Sequence, residues 1–314
     1  MPKRLNIRLY TPFGNTLRGN GVTADRWGAI FLALGHSLVD HDADVLVALH
    51  AKHSHAEILK FKAANPTRPV VLALTGTDVY RDIYADEEAQ LSLRLADRFV
   101  VLQPHALEQL PGPMRERAQV IYQSAVAPPN PPPKPTDHFR VCVIGHLREV
   151  KDPFRAAEAS RLLPPQSKVK FVHLGSALDP AMRARAEHES HDNPRYEWLG
   201  ERSAAETLAL LASSHLMVLT SIMEGGANVM TEAIACDVPI ISSRMGASLG
   251  ILGPEYPGLF EVGDTDTLAR LITRAESDRE FCAELQRQCR AKRPLIDPAR
   301  ERQSWADLLD ALPA

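Results

Sequence analysis

The stretch Leu216-Met-Val-Leu-Thr220, Ser221-Ile-Met-Glu224-Gly225-Gly226-Ala227-Asn228, Val229-Met-Thr-Glu232-Ala-Ile-Ala235 decides the fold. Its opening apolar run predicts a buried strand, and Val229–Ala235 predicts a helix beginning just after it. The turn between them holds Gly225 and Gly226, which let a backbone approach a ligand closely. A helix start offers unpaired N–H groups to a phosphate. If the helix starts near Gly226, Glu232 lies nearly two turns inside it, so Glu224 and Glu232 grip different parts of an extended ligand.

The same strand-then-helix alternation extends in both directions. Strands are predicted at Asn6–Tyr10, Asp44–Leu49, Val70–Leu74, Phe99–Leu102 and Val120–Tyr122, then at Arg140–Ile144, Lys170–Leu174, Tyr196–Trp198 and Pro239–Ser242. Helical periodicity is clearest in Thr23–Leu34, where Trp27, Ile30, Phe31 and Leu34 share a face. Short apolar strands alternating with amphipathic helices imply α/β architecture with parallel, doubly wound sheets. Ala127–Thr136 concentrates prolines, which fix φ and remove donors, so it reads as a semi-rigid linker. The expected division is therefore 1–126, a linker at 127–137, 138–296, and a terminal helix from 297 to 314. That helix packs back on the first domain or simply ends the second. Two such domains place ligands at the carboxyl ends of their strands.

Composition narrows the function classes. A formal net charge of -3 gives no support for nucleic-acid binding. The chain has no run of about 18 apolar residues, so no membrane span is expected, and MPKRLNIRLY lacks a signal-peptide core. These features and the unpaired spacing of Cys142, Cys236, Cys282 and Cys289 point to a reduced, cytoplasmic protein. Asp40-His-Asp42, Asp42-Ala-Asp44 and Asp264-Thr-Asp266 are short acidic pairs, expected to bind no metal. No cofactor is expected.

The strand, the E-x7-E turn-helix and the following Ala235-Cys-Asp-Val-Pro239 resemble the donor site of the family 4 retaining glycosyltransferases. That resemblance implies the GT-B fold, two Rossmann-like domains facing across a cleft, with a nucleotide sugar as substrate. It implies that Glu224 bonds sugar hydroxyls, Glu232 the ribose hydroxyls, and the amides of Gly225, Gly226, Ala227 and Asn228 the sugar and diphosphate. Gly145-His146-Leu147-Arg148-Glu149-Val150-Lys151 resembles the family's second donor element, with His146 where the family has Arg. There Lys151 neutralises the leaving diphosphate, and either Arg148 supplies the missing cation or the charge of His146 depends on pH. Leu199, in Tyr196-Glu-Trp-Leu-Gly200, resembles the strand-and-turn beside the nucleobase.

The first domain carries Arg18-Gly-Asn20-Gly21-Val-Thr23-Ala-Asp-Arg26-Trp27 at a helix start, a place that attracts anions. Ala48-Leu-His50-Ala-Lys52-His53-Ser54 and Leu74-Thr75-Gly76-Thr77-Asp78-Val-Tyr-Arg-Asp82 follow strands. His50, Lys52, Thr77 and Arg26 are expected to converge from neighbouring strand ends. Together with Val101-Leu-Gln-Pro104, Val120-Ile-Tyr-Gln-Ser-Ala125 and the Gly145 motif, these stretches resemble the selenosugar synthase group of selenoneine biosynthesis. That resemblance implies a UDP-sugar donor (UDP-N-acetylglucosamine or UDP-glucose), selenophosphate as acceptor, and a carbon–selenium product with UDP and phosphate released. A compact anion suits a pocket of amides and cations, here Arg18, Asn20, Gly21, Thr23, Arg26, His50, Lys52, Thr75 and Thr77. Selenium needs no strong base, so His50 or Asp78 orients the acceptor or the water that removes phosphate. Catalysis is expected to rest on His50, Lys151 and Glu224. The competing readings are a conventional family member acting on a hydroxyl acceptor, and a sugar-nucleotide-binding protein without turnover.

Overall fold

The computed structural model describes residues 4–12 and 19–313. By their contacts these form two compact units. The first runs to Ser124 and includes Glu224–Asn228 and the stretch from Asp297; the second holds Ala125–Met223 and Val229–Ile296.

The first unit is built on β1 (Asn6–Tyr10), β2 (Ser37–Leu38), β3 (Val45–Leu49), β4 (Val70–Leu74), β5 (Arg98–Val101) and β6 (Ala118–Val120). They form one parallel sheet in the order β2-β1-β3-β4-β5-β6. Side chains alternate between its faces, and both faces are covered. Val45, Val47 and Leu49 of β3 pack with Trp27, Phe31 and Trp305. Leu46 and Ala48 pack instead with Ile58 and Phe61. That double burial is why the strand reads as an unbroken apolar run.

The helix Gly19–Ala33 takes Gly-Asn-Gly as its own first turn, starting four residues before the expected Thr23. The Thr23 hydroxyl bonds back to the Gly19 carbonyl at 2.9 Å. The last helix, Pro298–Asp310, has Asp297 as N-cap and proline in its first turn. Within the first unit, Trp305 meets Trp27 and Phe31 edge-on at centroid distances of 4.7 and 4.8 Å.

The second unit repeats the plan with β7 (Phe139–Ile144), β8 (Val169–Leu174), β9 (Tyr196–Trp198), β10 (Leu216–Leu219), β11 (Ile240–Ser243) and β12 (Leu259–Phe260). All pair in parallel, in the order β12-β11-β10-β7-β8-β9. β2 and β12, two-residue edge strands, lie outside the sequence expectation because two residues show no periodicity. β6 begins two residues before the expected Val120. The proline-rich stretch forms neither helix nor strand. No helix among the described residues is long and apolar enough to cross a membrane.

Candidate functional site

In the second unit, the carboxyl ends of β7, β8 and β10 are laced together largely by side chains bonding main-chain groups. Gly175 has φ +150°, and a Cβ there would strike the Gly145 carbonyl, so the turns after β7 and β8 nearly touch. His146 accepts the Ser176 N–H on Nδ1 at 3.1 Å and lies 2.8 Å from the Ser176 hydroxyl. In its neutral form a ring accepting on Nδ1 carries its proton on Nε2.

Behind it, the buried His173 lies 3.0 Å from the Gly145 carbonyl through Nε2 and 2.6 Å from the Tyr196 hydroxyl through Nδ1. Burial lowers the His173 pKa from 6.5 to about 4, so this ring is neutral and donates from Nε2. Leu199 is half-buried, its N–H on the His173 carbonyl at 2.9 Å. Trp198 Nε1 donates to the Gly175 carbonyl at 2.9 Å.

Lys151 closes the short turn Glu149–Lys151, and Asp152 follows at a left-handed φ of 43°. The Thr220 hydroxyl, just past β10, lies 3.0 and 2.9 Å from the carbonyls of Lys151 and Asp152. The Ile222 N–H bonds the Val150 carbonyl at 2.8 Å. These contacts hold the Lys151 backbone beside the turn that leads to Glu224. Arg148 is exposed and Lys151 half-buried.

The helix after the glycine turn begins at Asn228, not near Gly226. Half-buried Glu232 therefore lies about one turn inside it, and the expected spacing of nearly two turns is corrected. Glu224–Asn228 belongs by its contacts to the first unit. A Cβ on Gly225 would land on the Thr75 carbonyl, and one on Gly226 would come within 2.7 Å of Gln123 Oε1 and the Leu102 side chain. In this structure the glycines allow close approach to protein, where the sequence reading assigned them to a ligand. Ala227 takes a left-handed φ of 49°, a conformation that favours glycine.

Several of the first unit's expected acceptor residues are bonded to other groups of the protein. Arg18 lies outside the described residues. Asn20 and Gly21 fall in the first helical turn, Asn20 half-buried and Gly21 buried. Thr23 is buried, and its hydroxyl accepts Gln123 Nε2 at 2.7 Å. Arg26, expected at the acceptor, directs its Nε to both oxygens of Glu301 at 3.0 and 3.2 Å. Glu301 is almost fully buried and also accepts Trp27 Nε1 at 2.8 Å and the Ser124 N–H at 2.8 Å. Desolvating such a carboxylate is costly without this set of donors, so Arg26 is held first by the fold. Lys52 pairs with Asp86 at 2.7 Å. Thr75 and Thr77 are half-buried in the turn after β4.

His50 stands one residue past β3 at φ +77°, a left-handed conformation rare for a non-glycine residue. Its ring is buried between two carboxylates, with Nδ1 4.0 Å from Asp78 and Nε2 3.8 Å from Asp82. Asp78 ties the turns after β3 and β4 together by accepting the Ala51 and Gly76 N–H groups at 2.9 and 2.8 Å. His53, exposed in the same turn, lies on His50 with ring centroids 4.3 Å apart.

Glu301 and His173 were not singled out in the sequence, and Asp82 only as the end of the Leu74–Asp82 stretch, because an isolated acid or histidine in a helix or strand carries no local signal of its distant partners. Burial pushes the thiols of Cys142 up to about 12 and Cys289 up to about 11, which suits structural thiols and not nucleophiles. Among the described residues, no group of three or more His, Cys, Asp or Glu side chains is arranged to hold a metal.

Residues 129–292 match the family model described as glycosyl transferases group 1. The chain belongs to that family. It is 22% identical over 307 residues to glycosyltransferase 1 domain-containing protein 1 of Xenopus tropicalis, covering 86% of this chain and 88% of that one. It is 29% identical over 139 residues to N-acetyl-alpha-D-glucosaminyl L-malate synthase of Bacillus anthracis, covering 44% of this chain and 36% of that enzyme. Among solved structures it is similar to HepE of Anabaena in complex with UDP, with a TM-score of 0.77 and 17% identity over 98% of this chain and 100% of that one. It is also similar to sucrose-phosphate synthase of Thermosynechococcus elongatus, with a TM-score of 0.73 and 16% identity, covering 98% of each chain. The fold is GT-B.

Proposed function

We propose that the protein transfers a sugar from UDP-N-acetylglucosamine or UDP-glucose to selenophosphate. Selenium attacks the anomeric carbon, the bond from that carbon to the diphosphate oxygen breaks, and UDP leaves with the electron pair. Water then adds to phosphorus, the selenium–phosphorus bond breaks, and the selenosugar and phosphate are released.

The donor half is supported by family membership and by the turn and helix from Glu224 to Glu232. It is also supported by similarity to HepE, solved with UDP and with UDP-glucose. In this reading Glu224 and Glu232 bond the sugar and ribose hydroxyls, and the amides from Gly225 to Asn228 meet the diphosphate. Lys151 and Arg148 supply positive charge as the diphosphate leaves, and the His146 Nε2–H adds a neutral donor.

The observation that carries the acceptor half is the set of first-unit motifs, with His50 one residue past β3 and Thr75–Asp82 directly after β4. These are short turns at strand ends, suited to a compact acceptor. The test is mass spectrometry of products from UDP-sugar incubated with selenophosphate, beside phosphate and thiophosphate controls. A selenium-bearing sugar is expected only with selenophosphate. UDP release that ignores selenophosphate but responds to a hydroxyl compound overturns the acceptor assignment and favours a conventional family member.

A further inference from the structure

We propose that His53 takes the proton from the water that cleaves the selenium–phosphorus bond, and that the buried His50 behind it is a positioning residue. The inference rests on the reaction proposed above and adds the group that handles its second step.

Of the two rings, His50 is poorly placed to exchange protons. It is 6% exposed, and its Nδ1 accepts the His53 backbone N–H at 3.4 Å. With Nδ1 engaged by that N–H, its Nε2 faces Asp82 at 3.8 Å. A left-handed residue with a buried ring held between two acids is a fixed support. His53 is exposed, follows three residues later and rests on that support at 4.3 Å.

The charged groups facing His53 come from several elements. His50 and Lys52 lie in its own turn, Asp78 in the turn after β4, and Asp82 at the start of the helix Asp82–Ala85. Arg81 pairs with Asp82 at 2.9 Å and Lys52 with Asp86 at 2.7 Å, so each of these two cations has an acidic partner. Burial first, and then the adjacent His50, hold the His53 pKa below its ordinary 6.5. The neutral ring that accepts a proton thus persists below that pH, and activity is lost as pH falls through the lowered value.

The step balances without another reactant. The water oxygen bonds phosphorus, one water proton passes to the His53 ring, and the selenium–phosphorus electron pair stays on selenium. The products are a selenolate, hydrogen phosphate and a protonated imidazole, which then returns its proton to solvent. The attack of selenium on the sugar, by contrast, transfers no proton to a base.

The test is His53→Gln assayed with UDP-sugar and selenophosphate, following UDP and inorganic phosphate separately. Phosphate release is expected to fall on the order of a hundredfold, UDP release by much less, and a selenium-linked sugar phosphate to accumulate in the mass spectrum. His50→Asn should lower phosphate release less and shift the pH at half-maximal rate. Equal, undiminished release of UDP and phosphate by His53→Gln overturns the inference. If the wild-type protein does not use selenophosphate, the acceptor reading fails and this inference fails with it, whereas a selenium-bearing product with undiminished phosphate release from His53→Gln fails the inference alone. Where selenophosphate is used, histidine NMR with inorganic thiophosphate, a substrate-shaped anion, checks the placement of His53 without turnover. A shift of the His53 ring resonance and a rise in its pKa support the assignment, and an unmoved resonance sinks it.

Discussion

Two histidines stand just past parallel strands, and the two turns are built differently. His146, after β7, is held by the main-chain N–H of Ser176, with the adjoining Gly145 carbonyl fixed by His173. His50, after β3, takes a left-handed backbone and lies between the side chains of Asp78 and Asp82. The second unit's turn is thus held where ring nitrogens meet main-chain groups 28 and 30 positions away. The first unit's turn depends on acids brought in from 28 and 32 positions further along the sequence. Side-chain lacing occupies Arg26, Thr23 and Lys52 with protein partners. Substitutions in the first unit should therefore cost stability before function.

The largest test of that contrast is Glu301→Ala. Removing this carboxylate strands the Arg26 guanidinium, Trp27 Nε1–H and Ser124 N–H in or near the core. Breaking a buried ion pair on one side costs about 3–5 kcal/mol. Denaturant unfolding followed by tryptophan fluorescence suits the measurement, because two of the three tryptophans, Trp27 and Trp305, lie in this cluster. Glu301→Gln, which keeps an acceptor oxygen, should lose less. An unchanged midpoint for Glu301→Ala would show that the first unit does not rely on this contact.

The next effect probes the second unit. His173 has a folded pKa of about 4 against 6.5, so between those values the unfolded chain binds the extra proton. Stability therefore falls as pH drops from 6.5 toward 4 and levels off below, by up to about 3 kcal/mol from this group. His173→Gln, which can still donate to Gly145, should lose that portion of the pH dependence. Parallel stability–pH curves for the two proteins would show that His173 is not the group responsible.

Much of the sheet architecture was legible because strands buried on both faces read as apolar runs, as in Val45–Leu49 and Val70–Leu74. The Glu224–Glu232 run stood out because its glycines and acids lie close together in sequence. What the glycines touch was not, since the proximity of Gly225 to Thr75 joins positions 150 residues apart. The commitment of Arg26 to Glu301 was equally hidden, because a basic residue at a helix start looks the same whether it faces an anion or an acid in its own fold. The two-residue strands β2 and β12 are too short to carry a pattern.

The smallest effect separates strain from chemistry at the His50 turn. A left-handed residue with a side chain costs roughly 1–2 kcal/mol, and asparagine tolerates that conformation better than most residues. If the φ of His50 is maintained by the packing of Asp78 and its bonds to Ala51 and Gly76, His50→Asn relieves strain while the turn keeps its shape. The variant should then be as stable as the wild type or more stable, by up to about 1 kcal/mol, yet slower in phosphate release. Paired measurements of unfolding midpoint and turnover on one preparation make the comparison. Loss of stability together with turnover would mean that the imidazole holds the turn, and that the strained backbone follows from its packing without an independent role.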